Sequence, residues 1–183
     1  MDMEAEIAPD FDRGLTLLKE LSEQEAEKIL AYEIQVVNFP ATRYAAVKGT
    51  VAMKDMQSFF KDSYGKIQKA MKKKYAKMRG YPTGLYFTWN EKEMVSDMAV
   101  AIPVNKAIEM DPVTSIDIPA QKAFLIDYYG PYDGSEYAHK AHDYNLKKSG
   151  LTLKDLVLEE YVTDPATEPD PNKWLTKIYY FAE

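Results

Sequence analysis

Two carboxylates and a tyrosine stand together in Val157-Leu158-Glu159-Glu160-Tyr161-Val162-Thr163-Asp164-Pro165. In a strand, alternate side chains share a face. Val157, Glu159, Tyr161 and Thr163 then point one way, and Leu158, Glu160 and Val162 the other. With Leu158 and Val162 packed on a helix layer, Glu159 and Tyr161 face a groove. A carboxylate walled by aromatic rings is costly to desolvate, and its pKa rises unless a cation or hydrogen-bond donors compensate. Two kinds of chemistry follow. The acid can pair with a cationic ligand, helped by ring faces, or it can exchange a proton during a reaction. A solvent-exposed acid on an edge strand fits the same spacing.

Other chemistry is scarce. The chain of 183 residues has no cysteine, which excludes a thiol nucleophile, a disulfide and any cysteine metal site. His139 and His142 stand one helical turn apart, but a metal needs a third or fourth ligand and no spacing nominates one. They read as polar helix positions, and neither a metal nor a cofactor is expected. The residue in excess is tyrosine, at 14 against 7 Phe and 2 Trp. A core needing only apolar volume has less reason to carry so many hydroxyls, since each buried one needs a partner.

Net charge is −6, and residues 1–33 carry ten acids and three bases of it. The remainder is near neutral. Residues 48–79 hold ten bases and two acids, with Lys61, Lys69, Lys72, Lys73 and Lys77 on the side of a helix away from its apolar stripe. That reads as a solvated face, so direct nucleic-acid binding is not expected. The start lacks the charged and apolar regions of a signal peptide, and no stretch approaches the roughly 18 apolar residues of a membrane span. A soluble cytoplasmic protein is the expectation.

The elements that must position these groups read as follows. Residues 11–33 look helical, with Ser22 and Glu25 spaced as a capping box. Residues 34–50 read as strand interrupted by Pro40. Residues 54–79 form the clearest helix, with Met56, Phe59, Phe60, Ile67, Met71 and Met78 at three- and four-residue steps, stopped by Gly80 and Pro82. Gly84–Trp89 and Val95–Val104 read as strands. The pattern then repeats: strand over 114–129, helix over 134–149 ending at Gly150, and strands over 155–163 and 175–181. Phe39-Pro40-Ala41-Thr42-Arg43 aligns with Ile118-Pro119-Ala120-Gln121-Lys122. The expected fold class is therefore α+β, built from duplicated β-α-β-β units at 34–105 and 113–183. A pseudo-twofold axis relates them and a groove lies between them. Residues 1–33 form an acidic extension, and 34–183 the domain.

The stretches DYYGPYDGSEYAHKAHDY, EEYVTDP and EPDPNKWLTKIYY, with GLYFTW and DMAVAIPV before them, resemble GyrI-like small-molecule-binding domains. These are effector-binding modules of AraC- and MerR-type multidrug regulators and free-standing gyrase-inhibitor-like proteins. The resemblance covers about residues 34–183. It rests on the Gly130-Pro131-Tyr132 corner, Glu159-x-Tyr161, Asp164-Pro165 and Trp174-Leu175-Thr176 taken together. It implies a ligand groove between the halves and a central acid in an aromatic pocket, which carries over to Glu159 with Tyr161 as its paired tyrosine. Setting Gly84–Thr88 against Val157–Tyr161 places Tyr86 opposite Glu159, and a slip of one residue sends Phe87 or Trp89 inward instead. Of Tyr128 and Tyr129 one faces the groove, and Tyr128 is assigned there. The ligand-binding expectation is thus Glu159, Tyr161, Tyr86, Trp89 and Tyr128, for an aromatic or amphipathic small molecule, cations included. Some similar proteins hydrolyse cyclopropane-type electrophiles, which would make Glu159 a general acid or base. Gyrase-inhibitor-like binding of a protein partner is the third reading. Residues 10–22 also resemble the last helix of a START-like domain.

Overall fold

In the computed structural model, residues 22–90 and 92–183 are described. Part of the expected N-terminal helix, and the START-like stretch but for Ser22, lie outside them. Residues 22–30 form helix α1. The chain then runs β1 (Gln35–Phe39), β2 (Thr42–Ala52), α2 (Met56–Lys74), β3 (Thr83–Asn90), β4 (Val95–Pro103), β5 (Thr114–Ile118), β6 (Gln121–Tyr129), α3 (Glu136–Ser149), β7 (Leu153–Tyr161) and β8 (Leu175–Ala182).

All eight strands join one sheet in the order β1-β6-β8-β7-β3-β4-β2-β5, and every pairing is antiparallel. The interruption expected at Pro40 is present, and the strand read as continuous over 114–129 is broken at a matching Pro-Ala corner. Pro40-Ala41 separates β1 from β2, and Pro119-Ala120 separates β5 from β6. Proline supplies no ladder donor, so the chain leaves one edge of the sheet there and re-enters elsewhere.

The sheet is curled into an antiparallel half-barrel. Phe39 of β1 and Ile118 of β5 come from the two outermost strands, yet both belong to one buried cluster with Tyr44, Leu85, Leu158 and Phe181. Ala46, Ala99, Ala101 and Ala123 fill the same cluster, and small side chains let the strands close on that side. On the opposite face α2 packs Ile67 and Ala70 against Val47, Met98, Val100 and Ile102. Helix α3 packs Ala138, Ala141 and Leu146 against Ile126, Ile178 and Tyr180, with Ile29 and Tyr32 from the N-terminal part joining. Strand β4 is buried on both faces, which is why MAVAIPV carries no polar alternation.

One helix end differs from the sequence reading. Helix α2 ends at Lys74, not near Gly80. Tyr75 takes a left-handed conformation at φ 53, and the N–H groups of Tyr75 and Ala76 donate to the carbonyls of Lys72 and Met71. That closes the last turn without a glycine. Helix α3 ends as expected, at Gly150 with φ 67.

Candidate functional site

The helices set where the site lies. Helix α2 covers β2 and β4, and α3 covers β6 and β8. The central pair, β7 and β3, floors the gap between them. Across that floor Glu159 sits beside Gly84 of β3 and Ile178 of β8, and Val157 beside Tyr86 and Tyr180. Tyr161 sits beside Thr176. The alternation read from sequence therefore holds, and Glu159 and Tyr161 share a face. The sense of the helix layer is reversed. Leu158 belongs to the curl of the half-barrel, and the helices stand on the Glu159 side. The curl buries an apolar strand face with strand residues alone among those described, so apolarity of Leu158 did not mark the helical side.

The Glu159 carboxylate is enclosed, with its side chain 13% exposed. Tyr161 Oη donates to Glu159 Oε2 at 2.8 Å, and Tyr86 Oη lies 3.0 Å from Tyr161 Oη and 3.4 Å from the same carboxylate oxygen. Each hydroxyl has one proton, so the consistent arrangement is Tyr86 to Tyr161 to Glu159. Burial first, and then the Glu159 charge, pushes both phenols well above their ordinary value. They are neutral donors. On the other oxygen, His139 Nε2 lies 2.9 Å from Oε1, and His139 Nδ1 lies 3.1 Å from Tyr180 Oη. With Oε1 as the acceptor, Nε2 is the donor and Nδ1 accepts from Tyr180 Oη.

Glycine at 84 makes this cluster geometrically possible. A Cβ there would lie 2.9 Å from Tyr161 Oη, 2.9 Å from Tyr86 Cε2 and 3.1 Å from Tyr86 Oη. With hydrogen in its place, both tyrosines lean over residue 84 to reach the acid beside it. The register differs here from expectation by two residues. Gly84, not Tyr86, is across from Glu159, and Tyr86 reaches it by the length of its side chain.

Further rings pack against the two tyrosines. Phe60 of α2 meets Tyr161 edge-on at 5.7 Å, and Tyr132 also meets it edge-on, at 5.2 Å. Tyr132 in turn packs on Trp174 at 5.0 Å. Trp89 meets Tyr86 edge-on at 6.4 Å and is 54% exposed at the rim. Strand parity alone puts Tyr86 and Trp89 on opposite faces. The ladder shifts register between Tyr86 and Thr88, and the extra residue brings Trp89 back to the face of Tyr86.

Of the expected residues, Glu159, Tyr161, Tyr86 and Trp89 come together. Tyr128 does not join them. It shares their sheet face but stands on β6, two strands from β7, beside Thr176 of β8, and its hydroxyl donates to the Pro131 carbonyl at 2.9 Å. It braces the Gly130-Pro131-Tyr132 corner, which Gly130 N–H ties to the Trp174 carbonyl at 3.0 Å. The corner and the Trp174 segment thereby meet around Tyr161.

His139 is the residue that sequence reasoning set aside, as a polar helix position. The only sequence signal was its three-residue spacing from His142. That spacing puts both on the inner side of α3, where His142 reaches the Ile178 carbonyl at 3.1 Å. Tyr64, next to Phe60 on the α2 face, was also missed. Among the described residues no three His, Asp or Glu side chains gather as a metal site, and no helix is long and apolar enough to cross a membrane. Two open depressions of about 450 and 340 Å³ lie along the lysine-rich side of α2, and neither includes a residue of the Glu159 group.

The architecture is thus a half-barrel sheet with two helices flanking the floor that carries Glu159. A family model described as the GyrI-like small molecule binding domain matches residues 32–180, and the chain belongs to that family. Solved structures share the fold. The EcmrR C-terminal domain is 22% identical at a TM-score of 0.71, with 84% of this chain and 98% of that chain covered. EcmrR in a complex with DNA is 22% identical at 0.77, with 99% and 68% covered. SAV2435 bound to tetraphenylphosphonium is 15% identical at 0.61, with 82% and 94% covered. No curated protein sequence matches the chain.

Proposed function

We propose that this chain binds an aromatic or amphipathic cation, with Glu159 as its counter-charge and Tyr86, Tyr161, Phe60, Tyr132 and Trp89 as its ring contacts. The observation that carries this reading is a carboxylate 13% exposed and enclosed by aromatic side chains. An ionised acid in such surroundings attracts a cation that can also lie against ring faces, a contact worth about 0.5–2 kcal/mol each. Tetraphenylphosphonium, the ligand of SAV2435, has this chemistry. Entry would pass the rim, where Tyr132 is 40% and Trp89 54% exposed. Residues 34–183 act as the binding domain in this reading, composed of two units in which the first strand of the expected β-α-β-β pattern is split in two at its Pro-Ala corner, with 1–33 as an extension. Exchanging β1–β4 with β5–β8 turns the strand order into its own reverse, which supports a duplicated unit.

Calorimetric titration with tetraphenylphosphonium tests the reading. Glu159→Gln keeps the shape and removes the charge. Its affinity should fall at least tenfold, about 1.4 kcal/mol, and equal affinity in both proteins would overturn the role of the acid. A second reading, general acid–base hydrolysis of a strained electrophile, draws on the relay from Tyr86 through Tyr161 to Glu159 and on to His139, which could carry a proton to or from the carboxylate. Formation of a water adduct from a cyclopropane-bearing alkylator, lost in Glu159→Gln, would favour it.

A further inference from the structure

Helix α2 turns Phe60, Tyr64, Ile67 and Met71 toward the sheet. Phe60 and Tyr64 are one turn apart, with rings 5.9 Å apart, and Phe60 touches Tyr161. The Tyr64 hydroxyl is buried and has no hydrogen-bond partner among the described residues. Burial pushes its pKa up, and the Tyr132 hydroxyl and the Glu159 charge push it further. It is a neutral phenol in the electrostatic reach of the candidate site. An unmet buried hydroxyl is a net cost. Phenylalanine would fill the same ring volume without that cost, and positions 59 and 60 of the same helix carry it. The other hydroxyls around Glu159 are engaged: Tyr161 donates to the acid, Tyr86 to Tyr161, and Tyr180 meets His139. Thr176, the cross-strand neighbour of Tyr161, holds a second buried hydroxyl without a partner among the described residues.

We infer that Tyr64 is a specificity residue, a hydrogen-bond donor kept for the ligand, so that the site takes aromatic cations carrying an oxygen acceptor beside the positive centre. This rests on the cation-binding reading above. A purely hydrocarbon cation would bind through charge and rings alone and leave Tyr64 unmet. A ligand with a carbonyl or similar oxygen would satisfy it.

The test compares wild type with Tyr64→Phe, using benzyltriphenylphosphonium and its 3- and 4-acetylbenzyl derivatives in calorimetric titrations. Tyr64→Phe should leave the parent cation within twofold and weaken at least one acetyl derivative about fivefold to tenfold, the scale of one net hydrogen bond. Its melting temperature should match or exceed wild type, because a cost is removed. Equal effects on all three cations overturn the inference while leaving the cation reading intact. A lower melting temperature also overturns it, since the hydroxyl would then be satisfied in the free protein. Failure of wild type to bind any of the three overturns the cation reading, and this inference with it.

Discussion

His142 should make this fold sensitive to mild acid. The ring is fully buried in α3, stacked on Tyr180 at 4.2 Å with planes 9° apart. Its Nε2 meets the Ile178 carbonyl at 3.1 Å, and its Nδ1 has no hydrogen-bond partner among the described residues. Nε2 therefore carries the proton of the neutral ring, and a second proton on Nδ1 would have no acceptor. Burial lowers the folded-state pKa from 6.5 to about 4. A histidine that takes up protons more readily when unfolded contributes full stability above pH 6.5, and loses it as pH falls toward 4. With those two values the loss relative to pH 7 is about 0.7 kcal/mol at pH 6 and about 2 kcal/mol at pH 5. Urea denaturation of wild type and His142→Gln at pH 7, 6 and 5 isolates this contribution, because other titrating groups are common to both. The difference in stability between the two proteins should shrink by about 2 kcal/mol from pH 7 to 5. An NMR titration provides a check independent of the variant: the His142 ring signals should stay unmoved down to pH 5. A His142 midpoint near 6.5, or identical pH slopes in wild type and variant, would refute the reasoning. The consequence reaches the site, since Tyr180 touches both His142 and His139.

Two further substitutions probe the backbone that shapes the site. Gly84→Ala should displace the Tyr86 and Tyr161 hydroxyls from Glu159, lowering stability by about 1–3 kcal/mol as overpacking does and weakening tetraphenylphosphonium binding; unchanged melting temperature and affinity would show that the close approach is not needed. Gly130→Ala places a Cβ at φ 154 against the Tyr128 hydroxyl and should cost more than about 1 kcal/mol in urea denaturation. Tryptophan fluorescence serves as the readout for both, because Trp89 touches Tyr86 and Trp174 touches Tyr132.

The legible part of the site was local. Period-two alternation was enough to pair Glu159 with Tyr161, because neighbours on one strand need no partner strand to define their face. The 3.6-residue stripe found α2, and Gly150 marked the end of α3. His139 was not legible, since its role depends on which side of α3 meets β7 and β8, and Glu159 lies 20 residues further along the chain. Trp89 reached its place through a bulge that no alternation rule anticipates. Tyr128 was misplaced because sharing a sheet face does not mean sharing a site: two strands of separation and a carbonyl at Pro131 hold it elsewhere.

The sequence by itself determined the strands, the helices, the acid and the abundance of ring hydroxyls, all of which follow from residue type and spacing along one segment. Tertiary structure decided the rest. The strand order left β7 and β3 without a helix above them, the glycine across from Glu159 made room for two phenols, and α3 delivered an imidazole to the same carboxylate. Those outcomes depend on long-range register and on which groups must share a small volume, and no single segment carries that information.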